Sequence, residues 1–189
     1  KSTKSVHTNG VKALVYSVAG AGKTTLAKTM PSPLVISAES GLLSLAGSDI
    51  PYVEIKTLKD LTEVLEWLKS DESKTIQSVM LDSISEIAEV CLTGEKAKTK
   101  DGRAAYGALG ELMRGVIRDF RDLPGRHVLM TAKADCTDGQ WAPNMPGKTL
   151  TQDLPYFFDI VLALRVERDA EGNVKRALQA SPDGIWQAK

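Results

Sequence analysis

The sequence predicts an α/β fold in three layers: a mostly parallel sheet, helices on both faces, and an antiparallel hairpin at the C-terminal end. Three observations predict it. Short apolar runs of strand character alternate with stretches whose apolar residues recur at three- and four-residue spacing. The first run passes through a loop of small residues directly into a helical pattern, S-V-A-G-A-G-K-T-T at 17–25. A later run, V-M-L at 79–81, ends in an acid, Asp82.

Composition bounds the class. The chain has 189 residues, 42% hydrophobic and 25% charged, which suits one globular domain with a sizeable core. Lys plus Arg and Asp plus Glu number 24 each, so any nucleic-acid site must be a local patch. Cys91 and Cys136 cannot build a disulfide framework, and a reduced, intracellular (cytoplasmic) setting is expected. No run has the apolar length of a membrane span and residues 1–10 lack a signal-peptide core, so no membrane partner is expected. The chain opens on Lys1 rather than Met, and is read as part of a longer protein.

Residues 1–10 are polar and read as a loose lead-in. The apolar run 13–16 then forms a strand, and the loop 17–22 leads into a helix over about 23–30. Strand, small-residue loop and helix are the context that a phosphate-binding P-loop requires. Ala19, Gly20, Ala21 and Gly22 let the backbone N–H groups curl toward phosphate oxygens. Lys23 would reach the β- and γ-phosphates, Thr24 would place its hydroxyl on Mg²⁺, and Thr25 adds a second hydroxyl. The pattern G-x-x-x-x-G-K-[ST] departs at its first position, where Ser17 stands for Gly.

Pro31 and Pro33 end the helix, and Leu34-Val35-Ile36 reads as a buried parallel strand with Glu39 just past its end. In an open α/β sheet that edge is where ligands bind. Residues 51–55 form a weaker strand, placed at a sheet edge by Pro51. Thr57 to Asp60 reads as a capped helix start, followed by one apolar face of Leu58, Leu61, Leu65 and Leu68. The strand 76–82 delivers Asp82 as a second metal-site residue opposite Thr24. Ser83 to Glu86 matches a capping box, which is the preferred reading of Glu86 over catalysis.

Residues 93–103 are the most basic stretch and read as a flexible loop. Lys96, Lys98, Lys100 and Arg103 are candidates for contacts to a single-stranded nucleic-acid backbone, with Tyr106 as a stacking face. A solvated surface loop is the competing reading. Leu109, Leu112, Met113, Val116, Ile117 and Phe120 mark a strong amphipathic helix. The strand 127–131 ends at Thr131, placed to sense the γ-phosphate or the attacking water, or to satisfy local backbone. His127 at its start reads as structural. Residues 134–148 lack a helical period and read as a long loop or irregular hairpin, with Trp141 more an anchor than a base-stacking surface. A strand over 159–166 and a turn at Glu171-Gly172-Asn173 complete a hairpin returning through 174–180.

Among nucleotide users, a GTPase would carry D-x-x-G, but Asp82 is followed by Ser83-Ile84-Ser85; its N-K-x-D is only half matched by Ala132-Lys133-Ala134-Asp135. On Y-S-V-A-G-A-G-K-T-T (16–25), V-I-S-A-E-S-G-L (35–42), V-M-L-D-S-I-S-E (79–86), H-V-L-M-T-A-K (127–133) and L-P-Y-F-F-D-I-V-L-A-L (154–164), nearly the whole chain resembles the RecA-like P-loop ATPase core. It is most similar to the bacteriophage RecA-like single-strand annealing recombinases. The resemblance implies ATP and Mg²⁺ as cofactors and Glu39 as the general base that activates water. It implies a homo-oligomer, ring or filament, with a cation supplied by the neighbour, for which Lys148, Arg165 and Arg168 are candidates. It also implies single-stranded DNA as partner, bound by loops 93–103 and 134–148, and a single-strand DNA-binding protein as a further one. The expected activity is ATP hydrolysis stimulated by DNA, serving annealing or recombination in a phage-infected bacterial cell. The alternative is an ATP-controlled oligomerisation switch or assembly module without direct DNA action, and a motor is a weaker third reading.

Overall fold

The computed structural model describes residues 10–39 and 42–189. Five parallel pairings build the centre of the sheet from β1 (Lys12–Ser17), β2 (Pro33–Ser37), β3 (Tyr52–Glu54), β4 (Ser78–Asp82), β5 (His127–Thr137) and β7 (Ile160–Arg168). β6 (Gln140–Asn144) pairs antiparallel with β5, and β8 (Val174–Gln179) with β7. The strand order is β3-β2-β4-β5-β1-β7-β8. Parallel strands share one C-terminal edge, so Ser17, Ser37 and Asp82 finish side by side, Ser37 opposite Asp82 in register.

Alternation along the strands splits the apolar residues between two faces. Leu14, Tyr16, Leu34, Ile36, Val79, Leu81, Val128 and Met130 join one large cluster. On that face pack α1 (Leu58–Lys69), α2 (Ile84–Lys98) and α3 (Gly102–Arg121), through Leu61, Leu65 and Leu68, Ile84, Ile87 and Cys91, and Leu109, Met113, Ile117 and Phe120. The intervening residues Val15, Val35 and Met80 face the other side. There the cover is two 3₁₀ helices, Thr24–Thr29 and Leu42–Leu45. The first of these replaces the longer helix expected over 23–30. The hydroxyls of Thr25 and Thr29 donate to Gly22 O and Leu26 O, three residues back, and compete with regular α-helical geometry.

α1 starts where expected. Thr57 Oγ1 accepts from Asp60 N at 3.3 Å and Asp60 Oδ2 accepts from Thr57 N at 2.8 Å, a reciprocal cap. Thr57→Ala is expected to lower stability by about 1 kcal/mol, read as a fall of about 2–4 °C in melting temperature. An unchanged melting temperature would show that the cap contributes nothing.

Two expectations are corrected. Residues 93–103 are not a flexible loop: α2 continues to Lys98, α3 begins at Gly102, and only Thr99–Asp101 separates them. Gly94 inside a helix costs about 1 kcal/mol against Ala, which the helix-forming Glu95-Lys96-Ala97-Lys98 tolerates. The segment 134–148 carries the hairpin that is one of its two expected forms, but as a regular one and not an irregular one. β5 runs on to Thr137, Asp138 and Gly139 turn at φ 52° and 80°, and β6 returns. Positive φ at both turn residues is the tight hairpin that an Asp-Gly pair favours. Trp141 on β6 stacks on Trp186, ring centroids 5.0 Å apart and 8° from parallel, and so anchors the hairpin to the C-terminal segment.

Candidate active site

The cleft at the C-terminal edge of β1, β2 and β4 has a volume of about 990 Å³, at the upper end for a small-molecule site. Its floor is the loop after β1. Gly20 and Gly22 have φ of 74° and 104°, so these two positions need glycine. Ser17 ends a strand and has no such need, which explains why Ser is accommodated where the motif usually has Gly. It is fully buried, and its hydroxyl donates to Val18 O at 3.1 Å.

Lys23 reaches back under the loop. Its Nζ donates to Ser17 O (3.2 Å), Ser17 Oγ (3.3 Å) and Val18 O (3.2 Å). Burial lowers its pKa, while the carboxylates of Asp82 and Glu39 act the other way. This amine therefore sits among the acids that the sequence reading grouped with it.

Asp82 is 2% exposed, and both its oxygens are engaged. Oδ2 accepts from Thr24 Oγ1 at 2.6 Å, and Oδ1 accepts from Thr131 Oγ1 at 2.5 Å. Thr131 is fully buried behind Asp82 and is not part of the cleft wall. Its hydroxyl lies against the Asp82 carboxylate and, at 3.3 Å, against Leu81 O, the local-backbone contact expected for it as the alternative. The Thr24 hydroxyl and the Asp82 carboxylate form a hard-oxygen pair that fits Mg²⁺, an ion that usually takes one or two protein oxygens and completes its shell with water and phosphate.

Glu39 lines the cleft beyond β2. Ser37 Oγ accepts from Glu39 N at 3.1 Å and donates to Glu39 O at 3.0 Å, which fixes the backbone there. Ser83 Oγ donates to Glu39 Oε1 at 2.9 Å, and Ser83 Oγ in turn accepts from Glu86 N at 3.3 Å. The Asp82–Ser83 peptide linking the two acids' supports is cis. Half of the anticipated capping box thus forms. Its other half does not, because the Glu86 carboxylate turns away to an ion pair with Lys133 at the cleft wall. That hydrogen bond raises the Lys133 pKa.

Two wall residues escaped the sequence reading. Lys133 lies within β5, in register with Ser17 of β1. Arg176 comes from β8, and its Nε donates to Ala21 O at 2.9 Å. Arg165 and Arg168 are engaged elsewhere: Arg165 with Glu167 and Asp183, Arg168 with Gly172 O. Lys96, Lys98, Lys100 and Arg103 lie outside this cleft, at the junction of α2 and α3. Lys148 opens the short helix α4 (Lys148–Asp153), in a groove with Tyr106.

A family model described as an AAA domain matches residues 9–189. No curated protein matches the chain. Among the described residues, no helix is long and apolar enough to cross a membrane. With the P-loop, the strand-end Asp82 and the mostly parallel sheet all in place over the matched residues, the chain belongs to the AAA domain family of P-loop ATPases.

Proposed function

We propose that the chain is a RecA-like ATPase that binds single-stranded DNA and promotes annealing or recombination. Within it, Ala19–Thr25 would cradle the phosphates, and Thr24 and Asp82 would hold Mg²⁺. Bound there, the ion would neutralise developing phosphate charge. Glu39 draws a proton from the attacking water, held in place by Ser83. Thr131 fixes the Asp82 carboxylate. In a ring or filament, a neighbouring subunit would supply a further cation.

The observation that carries the DNA part is a groove away from the phosphate cleft. It is lined by Tyr106, Arg114 and the Pro146–Thr149 segment, with Lys96 Nζ 5.4 Å from the Tyr106 ring centroid. Tyr106 is 44% exposed. The two segments assigned to DNA from the sequence thus meet at one aromatic and cationic surface, the combination that grips a single strand by stacking and charge. Arg114 is paired with Asp153 and Lys98 with Glu95, so that among the described residues Lys96, Lys100, Arg103 and Lys148 are the charges here without an ion-pair partner.

Replacing Lys96, Lys98 and Lys100 together with Ala should weaken single-stranded DNA binding and leave basal ATP hydrolysis intact. At about 0.7 per phosphate contact on a single strand, loss of the two open charges, Lys96 and Lys100, should flatten the slope of log affinity against log salt by roughly 1.4. Unchanged DNA affinity would remove these lysines from the interface.

The assembly-module reading keeps one specific support. Leu43 is 87% and Tyr52 56% exposed beside the edge strand β3, an apolar surface suited to another copy of the chain. Tight ATP binding with negligible turnover and no response to DNA would favour it.

A further inference from the structure

The β7–β8 hairpin projects beyond the C-terminal edge of the sheet, and Arg176 on its returning strand folds back onto the P-loop. Val166 and Arg176 are register partners, past the last residue of β7 that pairs with β1. The Nε–Ala21 O bond joins residues 155 apart in sequence and fixes the guanidinium against the cleft. Among the described residues, no carboxylate pairs with Arg176, and its Nη1 and Nη2 donate to no protein group. The nearby acids are committed: Glu167 to Arg165, and Asp169 to its own turn and to Lys175.

Its position along the P-loop decides which part of a nucleotide it meets. One flank of the loop carries Thr24, Asp82 and Glu39, the metal and water side. Arg176 comes from β8, on the opposite side of β1 from β2 and β4 in the sheet order. A Cβ built on Gly22 would lie 3.2 Å from Thr25 Oγ1 and 3.4 Å from Arg176 Nε. In P-loops the backbone amides cradle the α- and β-phosphates while the lysine reaches the β- and γ-phosphates. A guanidinium offers two parallel donors that match phosphate oxygens, and it keeps its charge at any working pH.

We propose that Arg176 is a nucleotide-binding residue acting within its own subunit: with Nε held by Ala21 O, its Nη groups bind the α- and β-phosphates of the nucleotide seated in the P-loop. The assignment rests on the P-loop being the nucleotide site. It makes the C-terminal hairpin part of that site, and it is distinct from a cation supplied by a neighbour.

The test is calorimetric titration of the full chain with Mg-ADP and Mg-ATP, for wild type, Arg176→Ala, Arg176→Gln, Arg176→Lys and Lys23→Ala, each checked by melting temperature. Loss of charge-assisted bonds should weaken ADP and ATP alike, by about tenfold or more, in Arg176→Ala and Arg176→Gln. Arg176→Lys should recover part of the loss. Gln can still donate to Ala21 O, so wild-type affinity in Arg176→Gln would reduce Arg176 to a loop clamp and overturn the assignment. A loss confined to ATP would move the contact to the γ-phosphate and overturn it as well. Nucleotide affinity unchanged in Lys23→Ala would instead reject the P-loop as the site, whatever the Arg176 variants do.

Discussion

Lys23→Ala is expected to abolish ATP hydrolysis and to weaken nucleotide binding by one to two orders of magnitude. Two losses combine. The variant removes the cation that reaches the β- and γ-phosphates, a charged hydrogen bond in a partly desolvated cleft worth about 1.5–3 kcal/mol in binding. It also removes the transition-state contact, where one preorganised donor is worth roughly 10²- to 10³-fold in rate. The lysine has a structural duty too, since its Nζ donates to the Ser17 and Val18 carbonyls. Both carbonyls lose the ammonium in the variant, though Val18 O keeps the Ser17 hydroxyl, and the loop that presents the amides relaxes. Titration with Mg-ATP and a phosphate-release assay check both parts. Turnover within a few-fold of wild type would remove Lys23 from the chemistry.

Glu39→Gln should separate binding from chemistry. The amide keeps the side chain's size, and its oxygen can still accept from Ser83 Oγ, so the local geometry at β2 survives. What is lost is the ability to take a proton from water. A positioned general base contributes about 10²- to 10⁴-fold, and kcat should fall by that factor while the Kd for Mg-ATP changes by no more than about threefold. Asp82→Asn would behave differently, because it disturbs the hydroxyl contacts of both Thr24 and Thr131 and weakens Mg²⁺-dependent binding itself. Hydrolysis persisting at the wild-type rate in Glu39→Gln would assign the base to another residue.

The parts of this site carried by single strand ends were legible from the residues. Val15-Tyr16, Val35-Ile36 and Met80-Leu81 are apolar on both faces of a parallel sheet, and each run stops at a polar residue on the sheet's C-terminal edge. That contrast marks Ser17, Ser37 and Asp82 in the sequence. Thr57 with Asp60 was legible for a similar reason, because a cap is a local interaction.

The remainder depended on relations between distant residues. Nothing near Arg176 signals a P-loop contact; the contact follows from the register of β7 on β1 and of β8 on β7. Thr131 and Glu86 were read from their own neighbourhoods, whereas their partners Asp82 and Lys133 lie 49 and 47 residues away. The hairpin over 134–148 did leave a signal, the Asp138-Gly139 pair between Cys136 and Trp141. The glycines at 94 and 102, by contrast, suggested a loop where helix-forming neighbours and the Asp101 cap sustain two helices.

The measurement that tests the account most directly is steady-state ATP hydrolysis by wild type and Lys23→Ala, with and without single-stranded DNA. The account predicts hydrolysis by the wild type, stimulated by DNA, and no hydrolysis by Lys23→Ala under either condition. Lys23-dependent hydrolysis indifferent to DNA would contradict the DNA-acting reading and leave an ATPase that controls assembly.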